Sequence, residues 1–407
     1  MLGYKGVREV AVWIQSENEI RIHFQWNEKG KEEPVVEKVL QSKAEDGNSL
    51  TFIADHLQAG TSYQYTFRDD QGVLLAEGEF STQKLWQYRT GPPEFSFLTG
   101  SCTYVNDPEF DRPGEPYGKG LDIFSAMLDK EAEAMLWLGD NVYLRPSDWG
   151  SRSGVYYRYT HFRSQPELQE FWKAFHHYAI WDDHDYGPND ANRSFINKEI
   201  TLEAFRDFWA NPNYGFGAHN DCISGSFSYY DVDFFLLDNR SFRSPNQRRS
   251  GVRQILGDDQ IEWLIDALVS SKANFKIVAV GGQFLNPAAL YENHSTFAAE
   301  REKILQLLEQ EKLKNVIFLS GDRHKTELTK WKSETGLIVY DFTSSPLSST
   351  SYNSAEEGNY LRVEGTHLSE QNFGRLNFTG DQKERVLILE SFDTVGKLIW
   401  EHRIPKQ

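Results

Sequence analysis

Basic charge, cysteine and long apolar runs are all scarce in this chain. Its 43 Lys and Arg are outnumbered by 60 Asp and Glu, for a formal net charge of −17. A surface of that sign repels phosphate backbones and anionic headgroups, so neither a nucleic-acid backbone nor an anionic membrane is the expected main partner. A small anion stays compatible where a basic or metal-lined pocket receives it. Cysteine occurs twice, as Cys102 and Cys222, which excludes a disulfide framework. No stretch of 18 apolar residues is present, so no transmembrane segment is expected. The opening MLGYKGVREVAVW has neither the apolar core of a secretory leader nor a twin arginine.

What is present reads as a two-part globular chain. The length of 407 residues exceeds what one hydrophobic core organises. Residues 1–90 look all-β. Ile20, Ile22, Phe24 and Trp26 alternate with polar neighbours, Tyr63, Tyr65 and Phe67 repeat the pattern, and DDQG at 69–72 reads as a hairpin turn. Short strands at this spacing predict a small N-terminal β-sandwich of immunoglobulin or fibronectin type. TGPPEF at 90–95 is the expected linker. Over 91–407 the pattern becomes α/β: EFSFLTG, AMLWLGD, AIWDD, FKIVAVGG and NVIFLSGD are buried-strand runs, with amphipathic helices such as DQIEWLIDALV and REKILQLLEQ between them. RVLILESF and GKLIWEHRI are expected to pair through DTVG, and the polar segment 343–380 is expected to be a loop.

The chemistry concentrates where these apolar runs end. One is followed by Gly100-Ser101-Cys102, the next by Gly139-Asp140-Asn141-Val142-Tyr143. A third runs into Asp182-Asp183-His184-Asp185 with Asn189 and Asp190 behind, and a fourth into Gly321-Asp322-Arg323-His324. Ligands of open α/β sheets gather at the carboxyl ends of strands. Crowded carboxylates repel one another unless a cation lies between them. Oxygen donors suit calcium, magnesium or manganese; a thiolate and a phenolate beside carboxylate and imidazole suit ferric iron or zinc. Two unlike donor sets point to two unlike metals, with Asp140 as the candidate bridge. Each residue alone has a plainer reading: Asp140 a turn residue, Cys102 a small buried hydrophobe, Tyr143 core, His324 a structural histidine, Asp182 an orienting group. Four such accidents at one sheet edge are the weaker account. His176 and His177 read as packing or support, and Cys222 as structural. Arg240, also just after a strand, either meets an anion or pairs with Asp238 or Asp231.

At GSC (100–102), GDNVY (139–143), WDDHDYGPND (181–190), LDNRSFR (237–243), LGDDQIEWL (256–264) and SGDRH (320–324), the sequence resembles the alkaline phosphatase D-like branch of the metallophosphatase superfamily. Order and spacing agree over roughly residues 95 to 345. The resemblance implies two β-sheets packed together and flanked by helices, with Fe³⁺ and Ca²⁺ as cofactors. Cys102 and Tyr143 would bind iron, Asp140 would bridge, Asn189 would bind calcium, and Asp322 and His324 would complete the site. Asp183-His184 stands where the wider superfamily has Asn-His; the aspartate departs from that pattern, which opens the role of Asp183, here taken as a further metal ligand. The family is usually exported, which implies a periplasmic or secreted location with the leader absent from this chain; a cytoplasmic one stays open.

The function expected on this basis is metal-dependent hydrolysis of phosphomonoesters or phosphodiesters, small-molecule or lipid, by a metal-activated hydroxide. His184 would protonate the leaving group, and Arg323 and Arg240 would stabilise developing charge. Zn²⁺, Mn²⁺ or Mg²⁺ are the alternative ions. Two rival readings are a Cys102–His184 hydrolase and a calcium-dependent binding protein without catalysis. The aromatic run VYYRYTHF at 155–162 and the loop at 343–360 are the candidate lid.

Overall fold

The computed structural model describes all 407 residues. Its body is two sheets packed face to face. The first has nine strands, in spatial order Leu398–Pro405, Val386–Asp393, Asn372–Thr379, Phe95–Gly100, Ala134–Leu138, His176–Ile180, Leu2–Lys5, Val10–Gln15 and Ser49–Ala54. The second has six: Gly225–Tyr229, Val232–Leu236, Phe275–Ala279, Val316–Ser320, Ile338–Thr343 and Glu327–Lys332. The centre of each sheet is parallel, so the carboxyl ends of those strands share one edge.

Continuous apolar sequence builds these strands because both faces are covered. Along the second sheet, Phe234, Leu236, Ile277, Ala279, Ile317 and Leu319 join the core between the sheets. Their neighbours Phe235, Leu237, Val278, Val280, Val316 and Phe318 turn the other way. There they meet the helices Asp258–Ser270 and Ala298–Gln310 through Leu264, Leu268, Ile304 and Leu308. Phe97 of the first sheet stacks on Phe234 of the second at 4.9 Å. Trp137, on the opposite face of the first sheet, packs edge-on to Phe162 and Phe171 of two outer helices.

A third sheet of Val36–Gln41, Arg21–Glu28, Ser62–Arg68 and Leu74–Ser81 stands apart. It closes a core of 13 buried residues, including Ile22, Phe24, Phe52 and Phe67, all from the first 80 positions. The opposite wall of that core is Val10–Gln15 and Ser49–Ala54, strands of the nine-stranded sheet. Leu2 pairs in parallel with His176, so strand pairing runs across the junction near residue 90. The expected pairing of the last two strands is present.

The loop expected over 343–380 is corrected at its end. Asn372–Thr379 is a strand inside the nine-stranded sheet, between Phe95–Gly100 and Val386–Asp393. Gly374 interrupts its apolar alternation because a Cβ there would lie 2.8 Å from the Phe342 ring. No helix is long and apolar enough to cross a membrane.

His176 and His177 are core residues. The His177 ring lies between the Trp137 indole N–H at 3.1 Å and the Phe171 carbonyl at 3.2 Å, a neutral ring with both nitrogens occupied. Burial pushes His176 down to about 3 and His177 well below its ordinary range. Below pH 6.5 the unfolded chain therefore binds protons that the folded chain refuses, and stability falls with pH down to the folded values. Between pH 6.5 and 5.0 the expected loss from His176 is about 1.6 kcal/mol, and His177 adds to it in the same direction. Urea unfolding across that range checks it; His177→Gln should flatten the slope.

Candidate active site

Four loops meet at the shared edge, and their backbone is unusual. Cys102, Asp140, Asp322 and His324 all have positive φ, between 49° and 67°. For non-glycine residues this costs roughly 1–3 kcal/mol each and persists only where the surroundings impose it. Glycines let the loops close. A Cβ on Gly139 would sit 2.8 Å from the Asp182 backbone nitrogen, and one on Gly321 2.5 Å from Ser101 Oγ.

The sequence candidates converge into overlapping donor groups. Ligand atoms of Cys102, Asp140 and His324 lie within 4.8 Å of one another, as do those of Asp140, Asp183 and His184. Asp140 belongs to both. Its Oδ2 is 3.6 Å from Cys102 Sγ and 3.2 Å from the Tyr143 hydroxyl. That hydroxyl is also 3.2 Å from His324 Nε2. The other Asp140 oxygen accepts the His184 backbone N–H at 3.3 Å. His324 Nδ1 faces the Thr350 carbonyl and, at 3.3 Å, Ser349 Oγ. Asp322, Asn189, His184 and Arg323 line the adjoining cavity of about 590 Å³, together with Asp140, Asp183 and His324, a size typical of a small-ligand site.

The electrostatics are those of a site short of positive charge. Burial first, then Cys102 and Asp183, push the Asp140 carboxyl well above its usual range. Burial, Asp182 and Glu292 do the same to Asp322. Burial lifts the Cys102 thiol to about 12. Asp183 moves the other way, to about 2: burial opposes ionisation, but His184 and Arg240 outweigh it. Asp183 Oδ1 and Asp182 Oδ2 are buried without a hydrogen-bond partner. The orphaned Asp183 carboxylate grouped with Asp140 and His184, and the thiol, phenol and imidazole gathered around Asp140, fit metal cations, by the cost of leaving such groups unpaired and by donor chemistry.

Not every acid of WDDHD needs a cation. Asp185 accepts three backbone N–H groups, from Asp182, Asn141 and Val142, and so ties two site loops together. Asp182 receives Asn239 at 2.8 Å and Arg240 Nε at 2.6 Å. Arg240 corrects the sequence reading. It is fully buried, is absent from the cavity wall, and pairs with Asp182 and Glu292 rather than with Asp238 or Asp231. Its guanidinium already acts as the counter-cation of the Asp182, Asp183, Glu292 group. Arg323 does line the cavity.

The helix Arg152–Arg163 corrects another expectation. It contains VYYRYTHF, but Val155, Tyr159 and Phe162 pack into the main core, and none of its residues lines the cavity. The loop beyond residue 343 does, through Tyr352, Asn353, Ser354 and Glu357. Cys102 is fully buried, bonded by Ser345 Oγ at 3.1 Å, and does not reach the cavity; this closes the thiol to a substrate. Sequence reasoning missed Glu292 and Tyr117. Both lie in loops without periodicity or motif, and Tyr117 reaches His324 Nδ1 at 3.4 Å.

Two packed sheets with helices outside and a carboxylate-rich donor set at the carboxyl edge describe an α/β sandwich with a candidate metal site. Residues 101–386 match the PhoD-like phosphatase family, and the chain belongs to it. It is 24% identical over 326 residues to alkaline phosphatase D of Bacillus subtilis, covering 68% of this chain and 53% of that protein. The chain thus spans about half the length of this curated relative. A solved structure of PhoD superposes with a TM-score of 0.80 at 16% identity, over 99% of this chain and 88% of that one.

Proposed function

We propose that the chain is a metal-dependent phosphoric ester hydrolase acting on phosphomonoesters, phosphodiesters or both, with ferric iron and calcium as its ions. The observation that carries this reading is the sharing of Asp140, which lines the cavity, between two donor groups. Cys102, Tyr143 and His324 with Asp140 would hold iron; Asp183, Asn189 and Asp322 with Asp140 would hold calcium. Bound there, the ions supply Lewis-acid polarisation of the phosphoryl group and a more acidic water. The chain's own residues do the rest. Asp140 and Asp322 set the charge of the cavity wall. Arg323 lines the same cavity, and His184 would deliver a proton to the leaving oxygen. The apolar lining is Tyr117, Tyr291 and Tyr352 alone, with no aliphatic groove for an acyl chain, so a lipid would present only its headgroup.

Elemental analysis joined to a visible spectrum tests this. The expected result is near-stoichiometric iron with calcium, and a phenolate-to-iron band that disappears in Tyr143→Phe. Chelation should abolish hydrolysis of p-nitrophenyl phosphate and of bis(p-nitrophenyl) phosphate. Activity unchanged in metal-free protein would overturn the reading, and calcium without iron or turnover would return the chain to a binding role.

A further inference from the structure

The main cation on the cavity wall is not free. Arg323 Nη1 donates to Gln283 Oε1 at 3.0 Å and Nη2 to Glu357 Oε1 at 2.6 Å. Glu357 sits on the loop that lines the cavity through Tyr352, Asn353 and Ser354, and its second oxygen takes Lys325 Nζ at 2.5 Å. Lys325 is fully buried and also meets Glu327 at 3.1 Å. Arg323 is further held against the Tyr291 ring, 4.6 Å from its centroid. A carboxylate from the protein therefore stands where an anionic substrate oxygen would take the guanidinium.

We propose that Glu357 determines substrate charge by masking Arg323, and so biases the site towards phosphodiesters over phosphomonoesters. The inference rests on the phosphoesterase reading above. A monoester near neutral pH approaches a dianion with three terminal oxygens; a diester is a monoanion with two. The third oxygen needs another donor, and Arg323 is the side chain on the wall built to give a charge-assisted pair. With Glu357 in place that donor is engaged, and the extra negative charge of a monoester meets a carboxylate. The diester does not depend on Arg323 in this way, so the mask weighs chiefly on the monoester.

Glu357→Gln keeps shape and an acceptor while removing the charge. In the metal-loaded protein, the ratio of kcat/KM for p-nitrophenyl phosphate to that for bis(p-nitrophenyl) phosphate is expected to rise about tenfold, the weight of one charge-assisted contact. The gain should vanish in the Glu357→Gln, Arg323→Met double variant. Inorganic phosphate should inhibit Glu357→Gln more tightly than wild type by a similar factor. If Glu357→Gln fails to fold, Glu357→Asp withdraws the carboxylate by one methylene at constant charge and should give a smaller shift in the same direction. A purely anchoring role for Glu357 would lower both activities together; a ratio unchanged within twofold overturns the inference while leaving the phosphoesterase reading intact. Metal-loaded wild type inactive on both esters would overturn that reading and this inference with it.

Discussion

Asp140→Asn is expected to bind neither ion tightly and to lose about 10³-fold or more in kcat/KM while remaining folded. The two side chains are nearly isosteric, so the effect comes from chemistry. Asp140 Oδ2 faces Cys102 Sγ and the Tyr143 hydroxyl, and Oδ1 accepts from the His184 backbone. An amide replaces one acceptor oxygen with a donor. It then presents N–H either to the His184 N–H or to groups that must themselves donate electrons to a metal. It also removes the one negative charge common to both donor groups. Stability should move in the opposite sense. Asp140 is buried among Cys102, Asp183 and Asp182, so without metal the asparagine relieves repulsion. Metal-free Asp140→Asn should melt no lower than metal-free wild type, whereas only wild type should gain from added ions. A variant with full metal content and turnover would remove Asp140 from the bridging position.

The convergence behind this prediction was legible in the sequence for a physical reason. Strands buried on both faces read as uninterrupted apolar runs, so their ends are marked, and polar residues just past those ends must share one edge of a parallel sheet. Cys102, Asp140, Asp183 and His324 were found this way. Pairings that depend on distant segments were not legible. Arg240 and Glu292 are 52 positions apart, and nothing in LDNRSF tells a guanidinium held by buried carboxylates from one offered to a ligand. The same limit hid Glu357, whose two cations lie 34 and 32 residues earlier. The strand Asn372–Thr379 was missed because Gly374 stands where alternation calls for an apolar side chain, and the Phe342 ring fills that space from the other sheet. Aromatic content misled over VYYRYTHF: its 3.6-residue periodicity serves core packing, which a lid does not require.

His184→Ala separates proton transfer from metal binding. The backbone of His184, not its ring, holds the loop: its N–H donates to Asp140 Oδ1 and its carbonyl accepts from Leu144 at 3.1 Å. Removing the imidazole therefore leaves the loop backbone, Asp140 and Asp183 in place. The ring lies against Tyr143, with centroids 4.3 Å apart, on the cavity wall, where it can reach a leaving oxygen. General-acid assistance of this kind is worth about 10²–10⁴-fold. The loss should depend on the leaving group. An alkoxide must be protonated as it departs, so alkyl esters should lose the full factor. p-Nitrophenolate leaves with little help, so its esters should lose far less. A uniform loss accompanied by depleted metal would make His184 a ligand in the group it forms with Asp140 and Asp183. Retained metal with a leaving-group-dependent loss would assign its proton to the departing oxygen, since a ligand role predicts no such dependence.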